Sequence, residues 1–192
     1  MKNLIKVNSA LIFLLCCALV VLLFVPLVSG KTILIGRIAG SQLIYGVVIG
    51  ILILGMMLVI AKHRQNKSKK SLIIMIAGCV FSTILLLGTS FCYLLFMVDR
   101  GTYYTFYSPD KKYAVIAEEW SWLLAGGVVL YERTSPFLVE EKANLITDDG
   151  FRAICANAYE IEWDDNIVTF TVETMNGYGD KDTAVVEMKK KK

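Results

Sequence analysis

Three stretches of this chain, residues 9–28, 38–61 and 71–98, carry no charged side chain and nothing more polar than Ser, Thr, Gln and Cys. A helix of about 20 apolar residues crosses the hydrocarbon core of a bilayer, where each backbone amide must be paired within its own segment. All three stretches reach that length. The third reads as the strongest: its 15 Ile, Leu, Phe and Val residues favour insertion by about 5 to 9 kcal/mol on a translocon scale. Its extra length predicts tilt or projection beyond the bilayer.

Charge divides the chain at the same place. Residues 1–98 hold nine Lys and Arg and no Asp or Glu, so all 17 acids follow, against 11 bases; the net charge of +3 hides this split. Lys and Arg near helix ends are retained on the cytoplasmic side, and five of them lie in the connector 62–70. The expected topology follows: the N-terminus and the 62–70 connector face the cytoplasm, and the 29–37 connector and everything after residue 98 lie outside. Tyr93, Phe96, Tyr103, Tyr104, Phe106 and Tyr107 bracket the exit of the third segment, where aromatic rings favour the headgroup layer. The first segment also reads as a cleaved signal peptide, with a basic start, Pro26 and the small residues Ser29 and Gly30 at its end. Its length exceeds the usual 7–15 apolar residues and favours a retained helix. Phe and Leu before Cys16 rule out a lipid-attachment site, leaving Cys16 and Cys17 as small apolar residues.

Gly46 and Gly50, four residues apart, make a flat stripe on the second segment, and Gly78 and Ser82 a matching one on the third. Such stripes pack helices of one chain together or form a homodimer contact. No ionisable side chain lies within any span. The charges that transporters place near the midplane are missing, which argues against transport by this chain alone.

After residue 98 the pattern changes to period two. Tyr159, Ile161 and Trp163 alternate with Glu160 and Glu162; Asp164, Asp165 and Asn166 read as a turn; Val168, Phe170 and Val172 alternate again. This is a hairpin signature. Further strands are expected over 103–107, 113–118, 128–132, 137–141, 151–155 and 183–188. Turns are expected at Ser108-Pro109-Asp110, Gly126-Gly127, Ser135-Pro136 and Asp148-Asp149-Gly150. The fold class predicted is a three-helix membrane anchor (residues 1–98) followed by one small antiparallel β domain (residues 99–192) on the outer face of the plasma membrane.

The outer half resembles a family of small membrane proteins of Gram-positive bacteria with a domain of unknown function. The resemblance rests on FYSPDKKY from Phe106, WLLAGG from Trp122, Tyr131-Glu132, TDDGFR from Thr147, and YEIEW from Tyr159 with Asn166 after it. It covers about half the chain. The family often carries a proline after the arginine, where this chain has Ala153. The resemblance implies a lineage and a fold and brings no activity with it.

Catalytic constellations are scarce. His63, the single histidine, lies in the cytoplasmic connector and cannot join a triad or a Cys-His pair outside. Cys155 is the only cysteine of the outer half and reads as a small apolar strand residue, so no disulfide is expected. Paired acids occur at Glu118-Glu119, Asp148-Asp149 and Asp164-Asp165. The run 176–182, with Asp180 and Asp182, has the oxygen-rich, glycine-bent character of a calcium loop without the EF-hand spacing, and reads equally as a solvated turn. Trp120 and Trp122 share a strand face, either as core or as an exposed aromatic platform. Lys189 and the lysines after it form a solvated tail or touch anionic polymer or headgroups.

No cofactor and no nucleic-acid partner is expected. The function these features predict is a non-enzymatic interaction or sensing module. Its β domain would meet a wall polymer, an envelope protein or an incoming toxin. The alternative is an accessory subunit of a membrane complex. The topology is checked by a reporter active only outside the cytoplasm: fused after Lys192 it should work, and fused near Gln65 it should fail.

Overall fold

The computed structural model describes residues 2–97, 101–175 and 179–189. Residues 98–100, 176–178 in the acidic run and 190–192 of the lysine tail lie outside the described residues, as does the side chain of Phe96. The chain divides into a helical unit and a β unit.

The helical unit holds α1 (Lys2–Ser29), α2 (Gly40–Gln65) and α3 (Lys69–Met97). All three are long and apolar enough to cross a membrane, as the absence of charge over 18 or more residues requires. The protein is a multi-pass membrane protein. Gly30, with φ +64°, stops α1 in a conformation that glycine adopts without strain. The Gln42 side-chain oxygen caps α2 by accepting the Ala39 N–H at 3.1 Å. Lys62, His63 and Arg64 occupy the last turn of α2, where cations complement the helix dipole. Ser68 caps α3, its Oγ accepting the Ser71 N–H at 3.2 Å. α2 packs against both α1 and α3.

The β unit contains β1 (Thr32–Ile35), β2 (Ile38–Ala39), β3 (Thr102–Tyr107), β4 (Ala114–Trp122), β5 (Ala125–Ser135), β6 (Leu138–Asp148), β7 (Tyr159–Asp164), β8 (Ile167–Glu173) and β9 (Lys181–Glu187). One sheet has the order β2-β1-β6-β5-β4-β3 and the other β7-β8-β9. β1 with β6, the successive neighbours from β3 to β6, and β7, β8 and β9 all pair antiparallel. The two sheets share one core. Val115, Ala117, Val128, Leu130 and Leu145 of the larger sheet meet Val168, Phe170, Val172 and Val186 of the smaller. Phe106, Tyr159 and Phe170 make an aromatic cluster with ring centroids 5.5 to 5.9 Å apart, spacing typical of offset and edge contacts.

Three expectations are corrected. The β unit is not confined to residues 99–192: it includes Gly30–Ile38. There β1 pairs with β6, Thr32 opposite Val139 and Ile33 opposite Leu138, so α2 begins at Gly40 rather than at residue 38. Gly126 and Gly127 are not a turn but lie within β5, and the hairpin turn is Leu123-Leu124. Residues 151–155 are not a strand. They enter a compact turn in which the Ala156 N–H reaches Arg152 O at 3.0 Å and the Ala158 N–H reaches Ala153 O at 2.8 Å.

Leu34 is 1% exposed, and its N–H donates to Phe137 O at 2.9 Å. Leu34→Ala should therefore destabilise the β unit by about 2–4 kcal/mol, the range for a buried leucine, although it lies in the connector between two helices. Urea-dependent pulse proteolysis of the full-length chain in nanodiscs measures this as a lower midpoint for cleavage of the β unit.

Candidate functional site

The β4–β5 hairpin is the most unusual surface of the β unit. A two-residue hairpin turn needs positive φ and is usually supplied with Gly, Asn or Asp. Here Leu123 takes φ +53°. A leucine in the left-handed region costs on the order of 1 kcal/mol. Leu123 is 76% exposed and Leu124 79%, so neither recovers that cost by burial. Trp122 beside them is 48% exposed.

The hairpin is held firmly behind this tip. On β4 the odd positions Val115 and Ala117 enter the core, so Trp120 and Trp122 stand on the opposite face of the sheet. Trp120 lies over Gly127, its cross-strand partner: a Cβ built there would come within 3.1 Å of the indole Nε1 and would also collide with Leu145 O. At Gly126 a Cβ would meet Thr147 Oγ1 at 2.6 Å. Both glycines are thus strand residues under close neighbours. The Ser121 hydroxyl donates to Gly150 O at 2.8 Å, and the Thr147 hydroxyl donates to Phe151 O at 2.7 Å, fastening the Asp148–Gly150 turn against the hairpin.

Glu119 sits on the core side of the same strand and is 1% exposed. Its Oε1 accepts the Ile154 N–H at 2.6 Å and the Cys155 N–H at 3.2 Å, and Tyr104 donates to its other oxygen at 3.4 Å. Burial, reinforced by the Glu119 charge, raises the Tyr104 pKa. Glu132 does the same work further along the inner face. It accepts the Lys189 N–H and pairs with the Lys142 ammonium at 3.0 Å. Glu118 accepts from the Tyr131 hydroxyl at 2.8 Å, and burial together with that charge pushes the tyrosine pKa well up.

The remaining expected site residues are dispersed. Asp182 gives one oxygen to the Ile146 N–H at 3.1 Å and the other to the Thr183 N–H at 2.9 Å. Asp180 is exposed, and its backbone oxygen accepts the Thr174 N–H at 2.8 Å. Asp165, with φ +48°, forms the β7–β8 turn. Cys155 is exposed on its turn rather than buried on a strand. The Asp110 carboxylate is held below its usual range by the Lys112 ammonium and the Ser108 hydroxyl. A cleft of about 180 Å³ includes Thr105, Tyr113, Glu132, Arg133 and Lys189 in its walls, smaller than the roughly 300 Å³ usual for small-molecule sites.

Within the helical unit, a Cβ at Gly50 would lie 3.3 Å from Leu15 of α1, and one at Gly78 would lie 3.5 Å from Val59 of α2. These two positions pack helices of the one chain. Gly46 faces open space, and Ser82 is half-buried on α3.

Sequence reasoning singled out Trp120, Trp122 and the Glu118-Glu119 pair but not the exposed Leu123-Leu124 turn or the burial of Glu119 and Glu132. The signal available was the interval between Trp120 and Gly127, long enough for two paired strands around a tight turn. Compared with family models, curated proteins and solved structures, the chain has no significant match to any of them.

Glu119→Ala would leave the Ile154 and Cys155 amides without an acceptor. It should cost about 3 kcal/mol, at the upper end for buried unsatisfied groups, with Glu119→Gln losing less. Urea midpoints of the full-length chain give the comparison.

Proposed function

We propose that the protein is a non-catalytic interaction module of the cell envelope, anchored by its three helices and contacting another envelope protein through the β4–β5 hairpin tip. The observation that carries this reading is Leu123: an exposed aliphatic side chain at φ +53°, beside a second exposed leucine. Strained residues gather where function requires them. An aliphatic tip with a flanking tryptophan is suited to an apolar pocket on a protein, because leucine offers no hydrogen bond to a glycan or to an anionic wall polymer.

The acids that sequence reasoning left open for catalysis support this reading too. Glu119 is committed to two backbone amides, Glu118 to the Tyr131 hydroxyl, and Asp182 to two amides. The five bases of the 62–70 connector support an orientation with that connector in the cytoplasm and the β unit outside the plasma membrane.

A photoreactive amino acid at Leu124 of the full-length chain in cells should yield a discrete protein adduct, and the same group at Val185, which is 68% exposed on β9, should not. Leu123→Asn with Leu124→Ser should abolish adduct formation from a photoreactive group at Trp122. Leu123→Asn alone should raise stability by about 1 kcal/mol, because Asn tolerates the left-handed region. Loss of contact in a more stable protein separates binding from folding. Adducts to lipid alone, or equal adducts from Leu124 and Val185, would overturn the reading.

A further inference from the structure

The two residues at which α2 and α3 approach the turn between them, Lys62 and Lys70, line a cavity of about 470 Å³. Ser68 and Ser71 add hydroxyls to its polar side, and Val59 and Ile74 add apolar walls. Val59 precedes Lys62 by three residues and Ile74 follows Lys70 by four, so each apolar side chain shares a helix face with its lysine. The cavity therefore has a cationic end and an apolar end.

We infer that this cavity binds the phosphate-bearing headgroup of an anionic membrane lipid, with Lys62 and Lys70 at the phosphate and an acyl chain along Val59 and Ile74. Charge complementarity carries the assignment. The first 98 residues contain no acid to compete for these lysines, and a phosphate between two ammonium groups gains charge-assisted hydrogen bonds. Basic pockets at the ends of transmembrane helices are suited to such headgroups. A free phosphate ion would use the lysines and leave the Val59 and Ile74 walls facing nothing.

Hydrogen bonds tie together the backbone that carries the cavity. The Asn66 N–H donates to Lys62 O at 3.0 Å and the Leu72 N–H to Ser68 O at 3.0 Å. His63 Nδ1 and Ser71 Oγ lie 3.2 Å apart, joining the two helices. Five bases clustered in residues 62–70 attract any anionic membrane surface without a cavity. The distinguishing feature is position: Lys67 and Lys69 are also exposed but do not line the cavity.

The test is native mass spectrometry of the full-length protein titrated with phosphatidylglycerol or phosphatidylcholine, repeated with inorganic phosphate as competitor. Lys62 and Lys70 are exposed, so Lys62→Gln with Lys70→Gln should leave helicity by circular dichroism unchanged. That pair should lower retention of a single phosphatidylglycerol by roughly thirtyfold, the scale expected for two lysines at a headgroup. Lys67→Gln with Lys69→Gln removes the same charge and should have little effect. Lys70→Gln alone should give an intermediate loss. Equal losses from the two pairs, equal retention of the two lipids, or displacement of phosphatidylglycerol by millimolar inorganic phosphate would overturn the assignment.

Discussion

The pairing of β1 with β6 is the interaction on which the rest of the architecture depends. The two short strands between α1 and α2, β1 and β2, complete a sheet whose other four strands all follow α3. Ile33 and Leu34, 7% and 1% exposed, give β6 a partner along an edge that would otherwise present unpaired amides. The pairing also constrains topology. The chain leaves the β1–β2 hairpin, passes through α2 and α3, and returns to the same sheet, so an even number of crossings must separate the two. Two spanning helices satisfy this. The β unit therefore cannot be completed until both have been made, and a contact spanning about a hundred residues closes late.

A second constraint is the need to satisfy polar groups in a small core. The turn at residues 153–157 buries Ala153 and Ile154, and burying it brings two amides away from water. Glu119 supplies the acceptor. Where β9 ends, Glu132 meets the Lys189 amide and Lys142. Burial works against the Lys142 charge, yet hydrogen bonds to Glu132 and Glu140 raise its pKa. Without these partners each carboxylate would be an uncompensated charge inside the sheet, at a cost of several kcal/mol. With them, both become fasteners that hold the smaller sheet and its loop onto the larger one.

The parts of this arrangement legible in sequence were those set by one local rule. Freedom from charge over 20 residues identified all three helices, and strict alternation around Asp165 and Asn166 identified β7 and β8. The parts missed were those in which tertiary contact overrides a local rule. Gly126 and Gly127 read as a turn because glycine usually punctuates, but Trp120, Thr147 and Leu145 O occupy the space their side chains would fill. Residues 151–155 read as a strand from their apolar content, while the Glu119 carboxylate, more than thirty residues earlier, satisfies their amides in another conformation. β1 was hidden because a four-residue strand between two membrane helices has no partner within reach along the chain. Trp120 and Trp122 were correctly placed on one face; that this face is opposite the core depends on the sheet packed against the other side.

The hairpin tip reverses the logic of the core. Inside the β unit, Gly126 and Gly127 are matched by the groups above them, and Glu119 and Glu132 by backbone amides. At Leu123 no burial offsets the left-handed backbone, because the side chain is 76% exposed. A domain of this size has a net stability of about 5–15 kcal/mol, so a strain on the order of 1 kcal/mol is tolerable but not negligible. Asn or Gly would remove it without disturbing the strands, since Trp122 and Ala125 already close the ladder. Folding alone therefore gives no reason for leucine at this position. The proposed contact with an apolar pocket supplies one, and on that proposal the Ser121–Gly150 hydrogen bond and the packing of Trp120 over Gly127 behind the tip would lower the entropy lost on binding.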